Sequence, residues 1–215
     1  MKEQYIHINQ LGTKRYYSDR EMNILHREDG PATEYADGDK AWYIDDKLHR
    51  EDGPAVETAN GHKAWYINGK CHREDGPAIE DADGDKEWWL DGKRHREDGH
   101  AVESANGSKE WYINGKLHRE DGPAIEYADG SKEWRINGKC HREDGPAIDD
   151  ADGYKEWYLN GERLTEEEFN ARMNPTTELT LDEIAEKFGI QEVKSVTIKF
   201  QTSTPYINEQ NSRTN

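Results

Sequence analysis

The sequence predicts a mainly β protein: a repeat array of antiparallel β-hairpins, laid out as a meander in an extended curved sheet, with a small α/β cap at its C-terminal end. Three observations carry that expectation. A 23-residue unit recurs six times without a gap from Leu25 to Glu162. Asp-Gly or Asn-Gly, the strongest short turn signals, punctuates every copy at fixed places. Seven Trp and eleven Tyr stand largely in register, in a chain where Leu, Ile, Val and Phe make up about 14% of residues and the net charge is −17. So little aliphatic surface with so much charge would normally mean disorder. The fixed period changes the expectation, because stacked units bury their apolar faces on one another.

Residues 1–24 form an N-terminal segment holding a degenerate half-copy, Gly12-Thr13-Lys14-Arg15-Tyr16-Tyr17. The six units, 25–162, start at Leu25, Leu48, Cys71, Arg94, Leu117 and Cys140, and the fifth reads LHREDGPAIEYADGSKEWRINGK. Its glycines follow Asp or Asn, at Asp121-Gly122, Asp129-Gly130 and Asn137-Gly138. All three columns are predicted to be tight turns with positive φ. Asp46 replaces one glycine, and Asp tolerates that backbone better than most residues.

Two strand-like segments separate the turns. In Lys109-Glu110-Trp111-Tyr112-Ile113 the alternation puts Trp and Ile on one face, Glu and Tyr on the other. The Trp column (Trp42, Trp65, Trp88, Trp111, Trp134, Trp157) with Ile or Leu two residues on is predicted to be the core. The second segment is Pro123-Ala124-Ile125-Glu126-Tyr127-Ala128, with Pro at a strand start. Two strands per unit in a meander is the first reading. A three-sided parallel solenoid ranks second, because it would stack Arg27, Arg50, Arg73, Arg96, Arg119 and Arg142 on one another.

Beyond Glu162 the repeat stops. Thr165-Glu166-Glu167-Glu168 reads as a capping box opening a helix to about Met173, which Asn174-Pro175 ends. Thr180-Leu181-Asp182-Glu183 opens a second helix closed by Gly189, and Val196, Ile198 and Phe200 alternate as a strand. Residues 163–200 therefore read as a cap for the open end of the array. The polar stretch 201–215 reads as disordered.

The 23-residue period, the aromatic strand, the NGK turn and the following Gly-Pro resemble MORN-type repeats, the bacterial MORN-like variant above all. The run HREDGPA…ADG.KEWY.NGK is closer still to repeats of uncharacterised tailed-bacteriophage proteins. The resemblance covers residues 12–162. It departs from the eukaryotic MORN pattern in having His-Arg-Glu-Asp where that pattern has a His-Gly step, so lipid binding is not carried over. What it implies is the fold and a phage setting, hence a host bacterial cytoplasm.

The chemistry-bearing residues point away from catalysis. Six identical His-Arg-Glu-Asp-Gly runs read as a structural network, with Arg on carboxylates, Asp capping its turn and His donating to a backbone carbonyl; a catalytic site is normally unique. Cys71-His72 and Cys140-His141 lie three repeats apart, too far for one zinc or one disulfide, and two free thiols fit a reducing compartment. Asp81-Ala82-Asp83-Gly84-Asp85 begins like a calcium loop, but Lys86 and Gly92 stand where Gly and Glu are required. No Walker A, GxSxG or HExxH motif is present. No enzyme activity, cofactor or metal is predicted. The acidity argues against nucleic acid and anionic membranes, no apolar run reaches transmembrane length, and residues 1–24 lack a signal-peptide apolar stretch.

What remains is surface. Opposite the Trp column stand Tyr43, Tyr66, Trp89, Tyr112, Arg135 and Tyr158, rich in residue types that anchor interfaces. This ladder is the predicted partner-binding face, with Trp89 and Arg135 departing from a Tyr consensus. A secondary acidic surface centres on Asp81, Asp83 and Asp85 in the third unit, whose charge is −5. The predicted partner is a host protein, a defence or nucleic-acid-handling factor that the chain would inhibit. The alternatives are sequestration of a nucleotide signal, with rings stacking a base and an Arg gripping phosphate, and a plain structural spacer.

Overall fold

The computed structural model describes residues 4–175, together with Glu183, Glu186 and Gly189. The chain divides into two compact units, residues 1–174 and 175–215, and the array belongs to the first. The predicted second helix and the strand at Val196–Phe200 lie outside the described residues, apart from Glu183 and Glu186, both helical, and Gly189 in a turn.

Among the described residues the array builds one fifteen-stranded sheet, and neighbouring strands run antiparallel throughout. The meander is therefore the fold, not the parallel solenoid. Each unit gives this sheet two short strands; in the fifth they are Ile125–Glu126 and Lys132–Glu133. A second pair, Arg135–Ile136 and Lys139–Cys140, forms a separate two-stranded hairpin. The predicted aromatic strand is thus broken at its Trp. At the break the Trp bonds in two directions: Trp111 N–H donates to Ala124 O of the next unit at 2.8 Å while its carbonyl accepts His118 N–H at 3.0 Å, and Trp134 does the same with Ala147 and His141. The last unit has no successor, and its strand runs unbroken as Lys155–Leu159. Successive hairpins are joined as well, through Gly138 N–H to Leu117 O at 2.8 Å and Arg119 N–H to Arg135 O at 3.1 Å.

Two of the three glycine columns sit at positive φ as predicted. Gly130 has φ 95°, and Asn137 and Gly138, at 52° and 85°, are the two centres of a hairpin turn. Asp46 adopts φ 60°. The third column behaves differently. Gly122 lies outside the positive-φ set, and its role is close approach: a Cβ there would meet the Arg119 guanidinium carbon at 2.9 Å.

The core differs from the expectation. The Trp residues are half-buried, and the fully buried column is Ala32, Ala55, Ala78, Ala101, Ala124 and Ala147, each 0% exposed. Backbone closes over these positions from two sides, as Ala124 N–H donates to Glu133 O while its carbonyl takes the Trp111 N–H. The Tyr face is not open either. Ala41, Ala64, Cys71, Val102 and Ile125 are buried on that side, and the ladder residues are half-buried.

Both ends of the array are covered. The strand Tyr5–Ile8, which the sequence reading did not foresee, pairs with Lys14–Tyr17, and Tyr16 takes the Trp place beneath Arg27 at 4.0 Å. At the other end α1, Glu166–Met173, begins at the predicted capping box: Thr165 Oγ1 accepts from Glu168 N–H, and Glu168 accepts from Thr165 N–H. Phe169 is buried, and Arg172 grips Glu162 with two bonds of 2.8 Å.

Candidate functional site

The His-Arg-Glu-Asp-Gly loops stand in a row on the Trp side of the array. In each, the Arg guanidinium is held from several directions. Arg119 Nε donates to Asp121 at 2.9 Å, and Nη1 donates to Pro123 O at 3.2 Å and Glu126 at 2.9 Å. The same guanidinium lies 4.1 Å over the Trp111 ring. This contact recurs at Arg50–Trp42, Arg73–Trp65, Arg96–Trp88 and Arg142–Trp134. Hydrogen bonding from Arg119 holds the Asp121 carboxyl below the usual carboxylate range, and the corresponding Arg does so for Asp29, Asp52, Asp75, Asp98 and Asp144. The expected network is therefore present, with one change in sense. The His does not donate to a carbonyl; His118 Nδ1 accepts the Asn137 N–H at 3.1 Å, and His49, His72, His95 and His141 accept likewise.

Three pairs of consecutive loops enclose a recess. One, of about 700 Å³, is walled by Arg27–Pro31 and His49–Asp52 and floored by Trp42 and Ile44. Another, of about 620 Å³, repeats the pattern with Trp88 and Leu90 as its floor. A third, of about 580 Å³, has Trp111 and Ile113. Carboxylates rim each recess. Glu51, Glu74, Glu97 and Glu120 expose 85%, 85%, 87% and 85% of their side chains.

The predicted ladder falls on the opposite side of the same strands. From the third unit on, Glu replaces Ala two residues before the ladder position, and each Glu takes a ladder residue as partner. Trp89 Nε1 donates to Glu87 at 2.7 Å, and Arg94 adds two bonds to the same carboxylate at 3.0 and 3.1 Å. Tyr112 donates to Glu110 and Tyr158 to Glu156, each at 2.8 Å, and Arg135 Nε to Glu133 at 2.7 Å. Burial, then the bond to Glu110, raises the Tyr112 hydroxyl pKa. Tyr43 and Tyr66 stand opposite Leu48 and Cys71 in their hairpins. Trp89 and Arg135 thus have an internal use that the sequence pattern did not reveal; the signal was the Ala-to-Glu change at residues 87 and 133.

The acidic run sits at a turn. Asp81 pairs with His62 Nδ1, Asp85 accepts the Ala105 N–H at 2.6 Å, and Asp83 is exposed. Among the described residues no three His, Cys, Asp or Glu are placed to hold a metal ion, and no helix is long and apolar enough to cross a membrane. Cys71 and Cys140 are free thiols. No family model matches the chain, and no curated protein matches it.

Proposed function

We propose that this chain is a non-enzymatic repeat protein of the phage type, MORN-like in its units, that binds and inhibits a host protein. One observation carries the reading: a recess of similar composition recurs on the Trp side of the array, over Trp42/Ile44, Trp88/Leu90 and Trp111/Ile113. Similar, solvent-facing recesses repeated on one side are a multivalent binding surface. They are not a single reaction centre, which needs one preorganised set of acid, base and nucleophile.

The nucleotide alternative draws no support from the repeat arginines. Arg50, Arg73 and Arg119 already bond two carboxylates each, and phosphate would have to displace them. The test is affinity capture from host lysate, followed by assay of the captured protein with and without added chain. Specific capture with loss of the partner's activity is the expected result. A chain that captures nothing above a composition-matched control leaves the spacer reading in its place.

A further inference from the structure

We propose that the row of recesses is the docking surface, and that its occupant is an extended, basic polypeptide segment of the partner. This rests on the binding-scaffold reading above and specifies where and what it binds.

Charge complementarity is the first argument. In each loop the Asp charge is answered by the Arg, at 2.8 Å for Arg50–Asp52 and Arg73–Asp75. The neighbouring Glu is not answered in the same way. Among the described residues the only basic group within 4 Å of Glu51, Glu74 or Glu97 is the His Nε2 of its own loop, at 3.8 Å in each case. That is beyond hydrogen-bond reach. Each recess therefore presents a carboxylate with spare accepting capacity, pointed to water.

The floor supplies the second argument. Trp and Ile or Leu line the base of each recess. A Lys or Arg side chain can lay its aliphatic stem on such a floor and carry its charge to the rim. A small anion would be repelled by the carboxylate rim, and a bare metal ion would leave the apolar floor unused.

Spacing is the third. Each unit contributes two strands to the long sheet. At about 4.8 Å per strand the loops that wall the recesses repeat about every 10 Å. A segment in the polyproline II conformation, about 3.1 Å per residue and three residues per turn, covers nearly that distance in three residues and returns every third side chain to the same side. One basic residue in every three would meet one recess after another, and the weak single contacts would add through linkage. The ladder side offers no equivalent from the third unit on, where its polar groups are spent on Glu87, Glu110, Glu133 and Glu156.

The probe is a synthetic peptide with Lys at every third position and Ser between, titrated into the full chain at low ionic strength. Its control is an isomer of the same composition with the Lys residues contiguous. We expect the spaced peptide to bind several-fold more tightly than the isomer. The fourfold variant Glu51→Gln, Glu74→Gln, Glu97→Gln, Glu120→Gln should weaken it about tenfold or more. These side chains are largely exposed, so circular dichroism and melting should be unchanged. Asp81→Asn with Asp83→Asn and Asp85→Asn should leave affinity within about twofold. Equal binding of spaced and contiguous peptides, indifference to the fourfold variant, or full displacement by spermine at matched charge would each overturn the proposal in favour of unspecific acidity. If the chain captures a host protein and ignores the peptide, only this proposal fails; if it captures neither, the scaffold reading fails with it.

Discussion

The guanidinium of Arg119 lies 4.1 Å over the ring of Trp111, one unit earlier in the chain. The pairing explains two sequence columns together. Arg needs carboxylates to satisfy its donors, supplied by Asp121 and Glu126, and it needs an empty space beside it, supplied by Gly122.

That geometry makes Gly122→Ala an informative change. The backbone there does not demand glycine, but the new Cβ would stand 2.9 Å from the Arg119 guanidinium carbon. Displacing the guanidinium should destabilise by about 1–3 kcal/mol, as overpacking does. In an Arg119→Ala background the same substitution should cost much less. Urea unfolding of the four proteins in this cycle measures the coupling, and strict additivity would show that the Arg–Gly contact is unimportant.

The burial pattern sets the relative cost of two core changes. Ala124 is 0% exposed and enclosed by backbone, so Ala124→Val should destabilise by about 1–3 kcal/mol or more through strain. Trp111 is half-buried, and its truncation to Ala should fall short of the roughly 3–5 kcal/mol of a fully buried ring. Thermal and urea denaturation of both variants decide this. A Trp111→Ala loss within or above that range would mean that Trp is the structural anchor after all.

Acid should unfold the array through its Arg-bound aspartates. Asp29, Asp52, Asp75, Asp98, Asp121 and Asp144 all have carboxyl groups held low, chiefly by hydrogen bonds from their Arg. A depressed folded pKa contributes stability above the unfolded value, about 3.9 for Asp. That stability is lost as pH falls through the folded value. Melting temperature from these groups should hold flat at neutral pH and drop below about pH 4. The measurement is a melting series against pH, in which Asp121→Asn should flatten the acid limb. An acid limb unchanged in that variant would contradict the assignment.

The thiols should differ in reactivity. Burial pushes the Cys71 thiol up to about 12, and it also raises that of Cys140, which is less buried. Thiolate is the reacting form, so iodoacetamide should label native Cys140 before Cys71 and label both after denaturation. Mass spectrometry of the unreduced chain distinguishes this from an internal disulfide, which would block both and contradict the extended meander.

Removal of everything after Glu162 should expose the edge beside Lys155–Leu159, where Leu164 and Phe169 now lie buried. Open edges template association. Size-exclusion chromatography should show aggregates, while a soluble monomer would mean that this region has another role.

Much of the architecture was legible in the chain itself. The six-fold period determined that there are units and that they stack. Asn137-Gly138 and its equivalents determined hairpins, because only positive φ closes such turns, and Thr165 with Glu168 determined where α1 begins. Alternation along Lys109–Ile113 determined that Trp111 and Tyr112 point to opposite sides. It carries no information about what lies on either side. Tertiary structure decided that Trp111 gives its N–H to Ala124 of the next unit, and that a guanidinium covers the indole. It also decided that Glu87 and Glu133 turn inward to hold Trp89 and Arg135. The first two depend on backbone or charge from the neighbouring unit; the Glu bonds join residues two apart on one face and depend on how those side chains are placed there. Period and alternation describe one strand at a time, and only the stacked array brings Ala124 and Arg119 within reach of Trp111.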